Sequence, residues 1–500
     1  MGRAKDWEME QEERGWWSVP DKYVCAECFD EDFLKQFVKE HAEVSVCDYC
    51  GSTAEELTGD ETALIAAPFD SVMEIIAEGL QSEWNDADNE NIPYESAEGG
   101  YQGNIYQSYD LVWDCVSPGN DKVAQQIIDA LPDHAWVERN YWQLSKDQAL
   151  WFGWQNFCEV VKHKNRYMFH LGRMKEQSKM KAAMNVADCP PSTAKKEVEQ
   201  PVLQASEKAE SQTSLSSEIS GTEDSAEVIN LFGGAIPWVR EPIDPAELNE
   251  IIEEEQDGVS ASRMLDAIGE AVEEVELVRE LPAHTRLFRG RVGPRVRPYR
   301  SARSLGPPPP SKAVANRMSP AGIPMFYGAL DEYTAAAETL LRRLKRSEAL
   351  NIGAFETTEN FYILDLTNIP GIPSLFSPER YLRPTLGFLL SFVSDLSKPI
   401  KKDDRVHTEY VPTQIVTEYF RYSFHRNGGP PIRGILYPSS RAKGGIACVL
   451  FFTREESGAL PAGEFTEPKK QWLRIVPRSP KVLRQKPRKR KLAPNPFATG

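Results

Sequence analysis

Long apolar runs are missing from this 500-residue chain. The stretch Leu386 to Val393 is short and core-like, against the roughly 18 residues that a membrane-spanning helix needs. No association by a membrane span is expected. Cysteine is scarce, with 8 in the whole chain, which excludes a disulfide-held secreted scaffold. Met1 to Trp16 is charged and has no apolar centre, so it does not read as an export signal. A reducing cytoplasm is the expected location. No G-x-x-x-x-G-K-[ST] phosphate loop and no H-E-x-x-H zinc helix occurs, and the 7 histidines do not pair at metal spacing. Cys115, Cys158, Cys189 and Cys448 have no clear histidine partner, so a cysteine nucleophile is not expected. No repeat of fixed period is present.

Acid is abundant and unevenly spread. The net charge is −17, but residues 1–170 carry 34 acidic and 12 basic side chains, which leaves the remainder slightly basic. An acidic N-terminal part repels phosphate, which argues against nucleic-acid binding there. From Pro468 to Leu492 there are eleven Lys or Arg and no Asp or Glu. That tail reads as a solvated basic segment, or as a non-specific hold on nucleic acid or on the protein's own acidic part. Nucleic acid is expected only through it.

The scarce cysteines are concentrated early. Cys25, Cys28, Cys47 and Cys50 form two C-x-x-C pairs separated by eighteen residues. Each pair places two thiolates on one tight turn, so four sulfurs can converge on one metal. The spacing reads as a structural zinc site, with two unrelated reduced pairs or a redox pair as rivals. Four sulfurs close the coordination shell, so such a metal holds structure and does no chemistry.

Residues 60–170 read as mainly helical. Ser145 to Gln148 has the form of a capping box, and Trp151, Trp154, Cys158 and Val161 follow at spacings of three and four. Residues 171–240 read as a flexible linker, because their polar composition cannot bury enough surface to offset chain entropy. Asp244 and Pro245 open connecting helices over 241–280. Beyond them, strands are expected at Thr285–Val292, Met325–Ala329, Phe361–Leu366 and Ile446–Phe452, with helices at Asp331–Leu344 and Thr413–Tyr422. In the first strand Leu287 and Arg289 share one face, Phe288 and Gly290 the other. Helices and strands interleave without a regular βαβ cadence, so the fold class is α+β. The expected organisation is 1–170, linker 171–240, helices 241–280, a domain at 281–465 and a basic tail at 466–500.

Three blocks of this last domain could carry chemistry. Arg286, Arg289 and Arg291 on a strand could clamp a pyrophosphate with their planar forks, or face water from an edge. Asn316 to Ala329 sets a turn that leads into Tyr327, which could stack on a flat ring or simply fill the core. Glu338 on the next helix could stabilise a cationic sugar, or lie on the surface. Tyr437-Pro438-Ser439-Ser440-Arg441-Ala442-Lys443-Gly444-Gly445 could cradle phosphate, or be an ordinary turn before a strand.

In order and content these blocks resemble the RES-domain family, the toxin half of RES–Xre toxin–antitoxin modules. The residues that carry the likeness are Leu287-Phe288-Arg289, Asn316 to Ala329, Thr334 to Glu338, Thr413-Gln414, Glu418-Tyr419, Tyr437 to Ser440 and Gly444-Gly445. The likeness covers about residues 281–455. The region around the four cysteines looks like the HEPN-associated domain found upstream of some RES domains. In the HEPN RNase motif R-x(4–6)-H more residues intervene than the three between Arg166 and His170, and that pair reads better as a basic helix end.

The resemblance implies an ADP-ribosyltransferase-like fold and an enzyme that consumes NAD, breaking the nicotinamide–ribose bond with water or inorganic phosphate. It implies Arg289, Tyr327, Glu338 and Ser439 as the catalytic set, and Arg291, Arg317 and Arg441 as further phosphate contacts. It also implies a toxin or defence effector with a cognate antitoxin. The alternatives are transfer of ADP-ribose to a protein or nucleic acid, or a zinc-ribbon nucleic-acid binder with an inert RES-like domain. Two departures stand out: Val292 to Ala315 is a longer connection than many relatives have, and Ser319 replaces the asparagine of a frequent Asn-Pro.

Overall fold

The computed structural model describes residues 14–97, 99–163, 263–398, 409–424, 429–458 and 470–484, with a few isolated positions besides. The linker 171–240, Asp244, Arg166, His170, Cys189 and most of the basic tail lie outside the described residues. The chain divides into two compact units, one of residues 1–149 with 370–390, the other of 150–369 with 391–500. Helix and strand mix in both, as the α+β expectation requires. Among the described residues no helix is long and apolar enough to cross a membrane.

In the first unit β1 (Tyr23–Cys25) pairs antiparallel with β2 (Ala66–Pro68). Helix α1 (Asp32–Glu40) starts at Glu31, whose carboxylate accepts the Leu34 amide at 2.6 Å. Helix α2 (Phe69–Glu83) buries Phe69, Val72, Met73, Ile76 and Leu80, an apolar stripe at helical spacing. Strands β3 (Trp84–Asp86) and β4 (Trp136–Glu138) pair, and α3 (Asp121–Ala130) lies between them in sequence.

Residues 370–390, which the sequence reading places inside its 281–465 span, complete this unit's core. Leu375 and Phe376 join the same buried cluster as Phe69, Met73 and Ile76. A Cβ at Gly79 would stand 2.5 Å from the Phe376 ring, so only glycine lets the ring lie against α2. Arg383 Nε donates to Glu83 at 2.7 Å, and Arg380 pairs with Glu78 at 3.4 Å. Helix α4 (Lys146–His163) shows the expected capping contact, with the Ser145 amide donating to Gln148 Oε1 at 3.3 Å.

The second unit is built on one sheet. After α5 (Met264–Glu274) come β5 (Val278–Leu281), β6 (Arg286–Pro294), β7 (Phe326–Ala329), α6 (Glu332–Thr339), β8 (Glu348–Thr357) and β9 (Phe361–Asp365). Then follow α7 (Arg383–Ser397), which belongs to this unit only from Ser391, α8 (Val411–Tyr422), β10 (Gly434–Pro438), β11 (Ile446–Leu450), β12 (Leu473–Ile475) and β13 (Lys481–Leu483). The sheet order is β12-β8-β6-β7-β11-β10-β9-β5, and β13 also pairs with β8. The pairs are antiparallel except β9 with β10.

Register and the two-residue period of a strand assign the faces. Leu287, Phe326, Phe355, Leu436, Cys448 and Leu450 share one face and form one buried cluster. Phe288, Leu350 and Ile352 share the other and pack with Ala336 of α6. Several elements depart from the sequence reading: β5 falls in the span read as helices, β10 is not among the expected strands, and β12 and β13 join the sheet from the span read as a basic tail, with Leu473 buried in its core. Strand β8, ten residues long and unforeseen, has eight of them buried, so alternation gave no signal. Helix α6 stops at Thr339 rather than Leu344, because Leu340 and Leu344 turn inward onto the Ala336 cluster before β8 begins.

Candidate active site and metal centre

The four cysteines come together. Cys25 ends β1, Cys28 closes the short turn Ala26–Cys28, and Cys47 and Cys50 flank a turn closed by Gly51 N to Cys47 O at 3.1 Å. The sulfurs are 3.8 Å apart for Cys25 and Cys28, 3.5 Å for Cys25 and Cys50, and 3.7 Å for Cys28 and Cys47. A tetrahedron of roughly 2.3 Å zinc–sulfur bonds has edges of about 3.8 Å, so the donor set fits that ion. All four are free thiols.

Hydrogen bonds from Cys25 and Cys28 push the Cys47 thiol far down, and the hydrogen bond with Cys25, aided by burial, pushes Cys28 far up. One thiolate is comfortable here and four are not, unless a cation offsets them. The Cys25 amide donates to Cys47 Sγ at 3.3 Å, and Asn120 Nδ2 donates to Cys28 Sγ at 3.2 Å. Asn120 escapes any spacing argument, since 92 residues separate it from Cys28. Its Oδ1 also caps α3, accepting from Val123 N at 3.0 Å.

In the second unit α6 lies directly on β6 because β6 offers a glycine. A Cβ at Gly290 would meet Thr339 Oγ1 at 2.5 Å. The helix start is fixed by Asp331, which accepts the Thr334 amide at 2.8 Å. Glu338 sits one position before the helix end, where Ser439 Oγ donates to its Oε1 at 2.5 Å. Ser439 follows β10 and is held in turn. Its hydroxyl accepts the amides of Arg441 at 3.2 Å and Ala442 at 3.0 Å, and its own amide donates to Gly445 O at 2.9 Å. Gly445 comes so near α6 that a Cβ would stand 2.2 Å from Thr334 Oγ1.

Tyr327 is on the face of the sheet that carries α6. Its hydroxyl shares a 2.8 Å hydrogen bond with Ser319, which is almost fully buried. The turn before Tyr327 is pinned by α8: Gln414 Nε2 donates to Asn316 O at 2.8 Å and Ser319 O at 3.2 Å. Burial pushes the Tyr327 hydroxyl up, so it stays protonated.

A family model described as "RES domain" matches residues 290–468, and one described as "HEPN/RES N-terminal domain 1" matches residues 40–175. The chain is a RES-domain protein with an N-terminal HEPN/RES-associated domain. No curated protein and no solved structure gives a significant match. Membership of the RES family points to NAD-related chemistry.

Within the RES domain the arginines are less uniform than the sequence implied. Arg289 starts from the opposite face to Tyr327, that of Leu287. Its guanidinium lies where β6 and β7, paired only at Phe288 and Ala329, diverge. Nη1 donates to Tyr327 O at 2.6 Å, the Phe326 ring lies 5.2 Å from the guanidinium, and the buried Nε has no partner. Burial, then Arg291, lower its pKa to about 9. Arg291 donates to Ser304 O at 2.8 Å. Arg317 donates to Leu396 O and, at 2.6 Å, to Lys398 O, so it closes the C-terminal end of α7. Arg441 is exposed beside Ser439.

The sequence reading names Tyr437 in the block that carries the RES likeness but gives it no role in this group. It is two residues before Ser439 on the same face, and burial together with the nearby Glu338 and Tyr327 raises its hydroxyl well above the usual range. Strand alternation back from Ser439 is the signal that could have found it.

Proposed function

We propose that the RES domain breaks the nicotinamide–ribose bond of NAD, with inorganic phosphate or water as acceptor. The observation that carries this reading is the Glu338–Ser439 pair, a carboxylate held by a hydroxyl whose own position two backbone amides secure. The pyridinium is already a cationic leaving group, so no strong general acid is required. What the reaction needs is an anion beside the ribose as positive charge develops, and orientation of the dinucleotide. Glu338 supplies the charge and binds the ribose hydroxyls. Tyr327, kept protonated and anchored by Ser319, stacks on the nicotinamide end. Ser439 releases Glu338 to the ribose or bridges to the phosphate.

The arginines divide the remaining work. Arg441 meets phosphate from the Ser439 turn. Arg289 holds the Tyr327 backbone through Nη1, and the N–H groups that the carbonyl does not take grip the pyrophosphate. Arg291 and Arg317 support the loops around the site through main-chain carbonyls. The four cysteines hold a zinc ion that supplies structure to the N-terminal unit. The biological setting that follows is a toxin or defence effector acting in the cytoplasm, restrained by a cognate antitoxin.

The test is NAD loss by purified full-length protein, with and without phosphate, beside Glu338→Gln. Loss in the wild type alone supports the reading, and acceleration by phosphate names the acceptor. Label moving from NAD onto protein or nucleic acid replaces it with ADP-ribosyl transfer. Intact NAD under all conditions overturns it.

A further inference from the structure

Leu281 to Leu330 contains nine Lys or Arg and no Asp or Glu, in a protein of net charge −17. Folding adds to this concentration. Strand β6 runs out into the loop 295–303, and α6 runs out into the turn 340–347. The two outlets meet, since Arg295 N donates to Ser347 O at 2.9 Å and Pro294 is in register with Glu348. The first loop folds back over the hairpin, where Tyr299 N donates to Asn351 Oδ1 at 2.9 Å. Arg295, Arg297, Arg300, Arg343, Lys345 and Arg346 are therefore neighbours, and all six are exposed. The adjacent carboxylate, Glu348, is already engaged by Arg342 through bonds of 2.7 and 2.8 Å. None of the six side chains has a carboxylate partner among the described residues.

We propose that these two loops form a binding surface for the phosphate backbone of a nucleic acid. Five of the six cations are arginine, whose fork matches phosphate oxygens. A protein partner would call for an apolar centre with aromatic anchors. These loops expose only Val296 and Leu341 as large apolar groups, and Tyr299 is tucked beneath Arg291. A surface so polar and so positive is typical of nucleic-acid contact. It borders the start of the basic tail, whose β13 pairs with β8 at Leu350–Ile352, and it is reached by the same two elements that hold Arg289 and Glu338.

The experiment is fluorescence anisotropy of a labelled mixed-sequence RNA oligonucleotide and its DNA counterpart over a salt series, with full-length protein. The variant R295A/R297A/R346A should bind at least tenfold more weakly at low salt. Its log K against log salt slope should fall by about 2, at roughly 0.7 per lost phosphate contact on a single strand. Its thermal transition and its turnover of NAD should be unchanged. Three results overturn the proposal. One is tighter binding of poly-glutamate than of either oligonucleotide, which makes the partner an acidic protein. Another is oligonucleotide binding that survives the triple variant and vanishes when the basic residues beyond 485 are neutralised. The last is no binding, with a salt-dependent drop in NAD turnover for the variant, which makes the loops a steering surface for the dinucleotide.

Discussion

The two centres of this molecule are assembled in opposite ways. Four sulfurs of the N-terminal unit come from the 26 residues Cys25 to Cys50 and are drawn together by two tight turns, with β1 held by β2 nearby in sequence. The Glu338–Ser439 pair of the RES unit spans 101 residues and exists only because α6, β10 and the turn after β10 are all in place. The first centre has its geometry supplied by local chain, and its four sulfurs are close enough to hold a metal ion. The second has its geometry supplied by sheet register and close packing at Gly290 and Gly445. Disturbing one should therefore resemble losing a staple, and disturbing the other a misaligned joint.

The largest test of that contrast is removal of the staple. Cys28→Ser with Cys47→Ser, or a strong chelator, should unfold the N-terminal unit. Zinc binding to small structural sites is worth roughly 10–16 kcal/mol in apparent free energy, as much as the whole stability of an ordinary domain at about 5–15 kcal/mol. Circular dichroism with simultaneous zinc release measures it, and an unchanged spectrum after full metal loss would break the comparison. Next comes the joint. Glu338→Gln should lower NAD turnover by about 10²–10³ while shifting stability by less than roughly 1 kcal/mol, as expected for a side chain placed for charge stabilisation.

Smaller effects sharpen the comparison. Asn120→Asp keeps a good helix cap for α3 and removes the N–H donor to Cys28, so zinc affinity should fall about 10–100-fold with little change in helix content. Chelator competition reads the first and circular dichroism the second. Gly445→Ala should cost about 1–3 kcal/mol, because Thr334 must give way or the Ser439 turn must shift. Turnover should fall with it, whereas the same substitution at Gly51, with open space around its Cβ position, should leave the RES site untouched.

The same contrast explains what could be read from sequence. Local patterns were legible: the C-x-x-C pairs, the Ser145–Gln148 cap, the alternation that places Leu287 and Arg289 together, and the Pro and Gly block before Tyr327. Chain order and motif content were enough to identify the RES resemblance. Non-local facts were not. Strand β8 is covered on both faces, so it shows no alternation. Asn120 and Cys28 meet through tertiary packing alone. The arginines illustrate the limit best, since sequence shows a charge and not its partner. Arg289, Arg291 and Arg317 each donate to a main-chain carbonyl.

Leu375 and Phe376 carry a consequence in time. The N-terminal unit leaves the ribosome ahead of the RES unit, yet its core includes side chains some 300 residues downstream, as Glu83 and Arg383 mark. At roughly 5–20 residues per second, α2 waits about 15–60 s with its Gly79 groove uncovered. The unit begun first is thus completed only after residues 150–369 of the other have been made. A chain interrupted before residue 376 leaves the groove open, and a chain begun after the N-terminal unit leaves Phe376 without the helix it was shaped to meet.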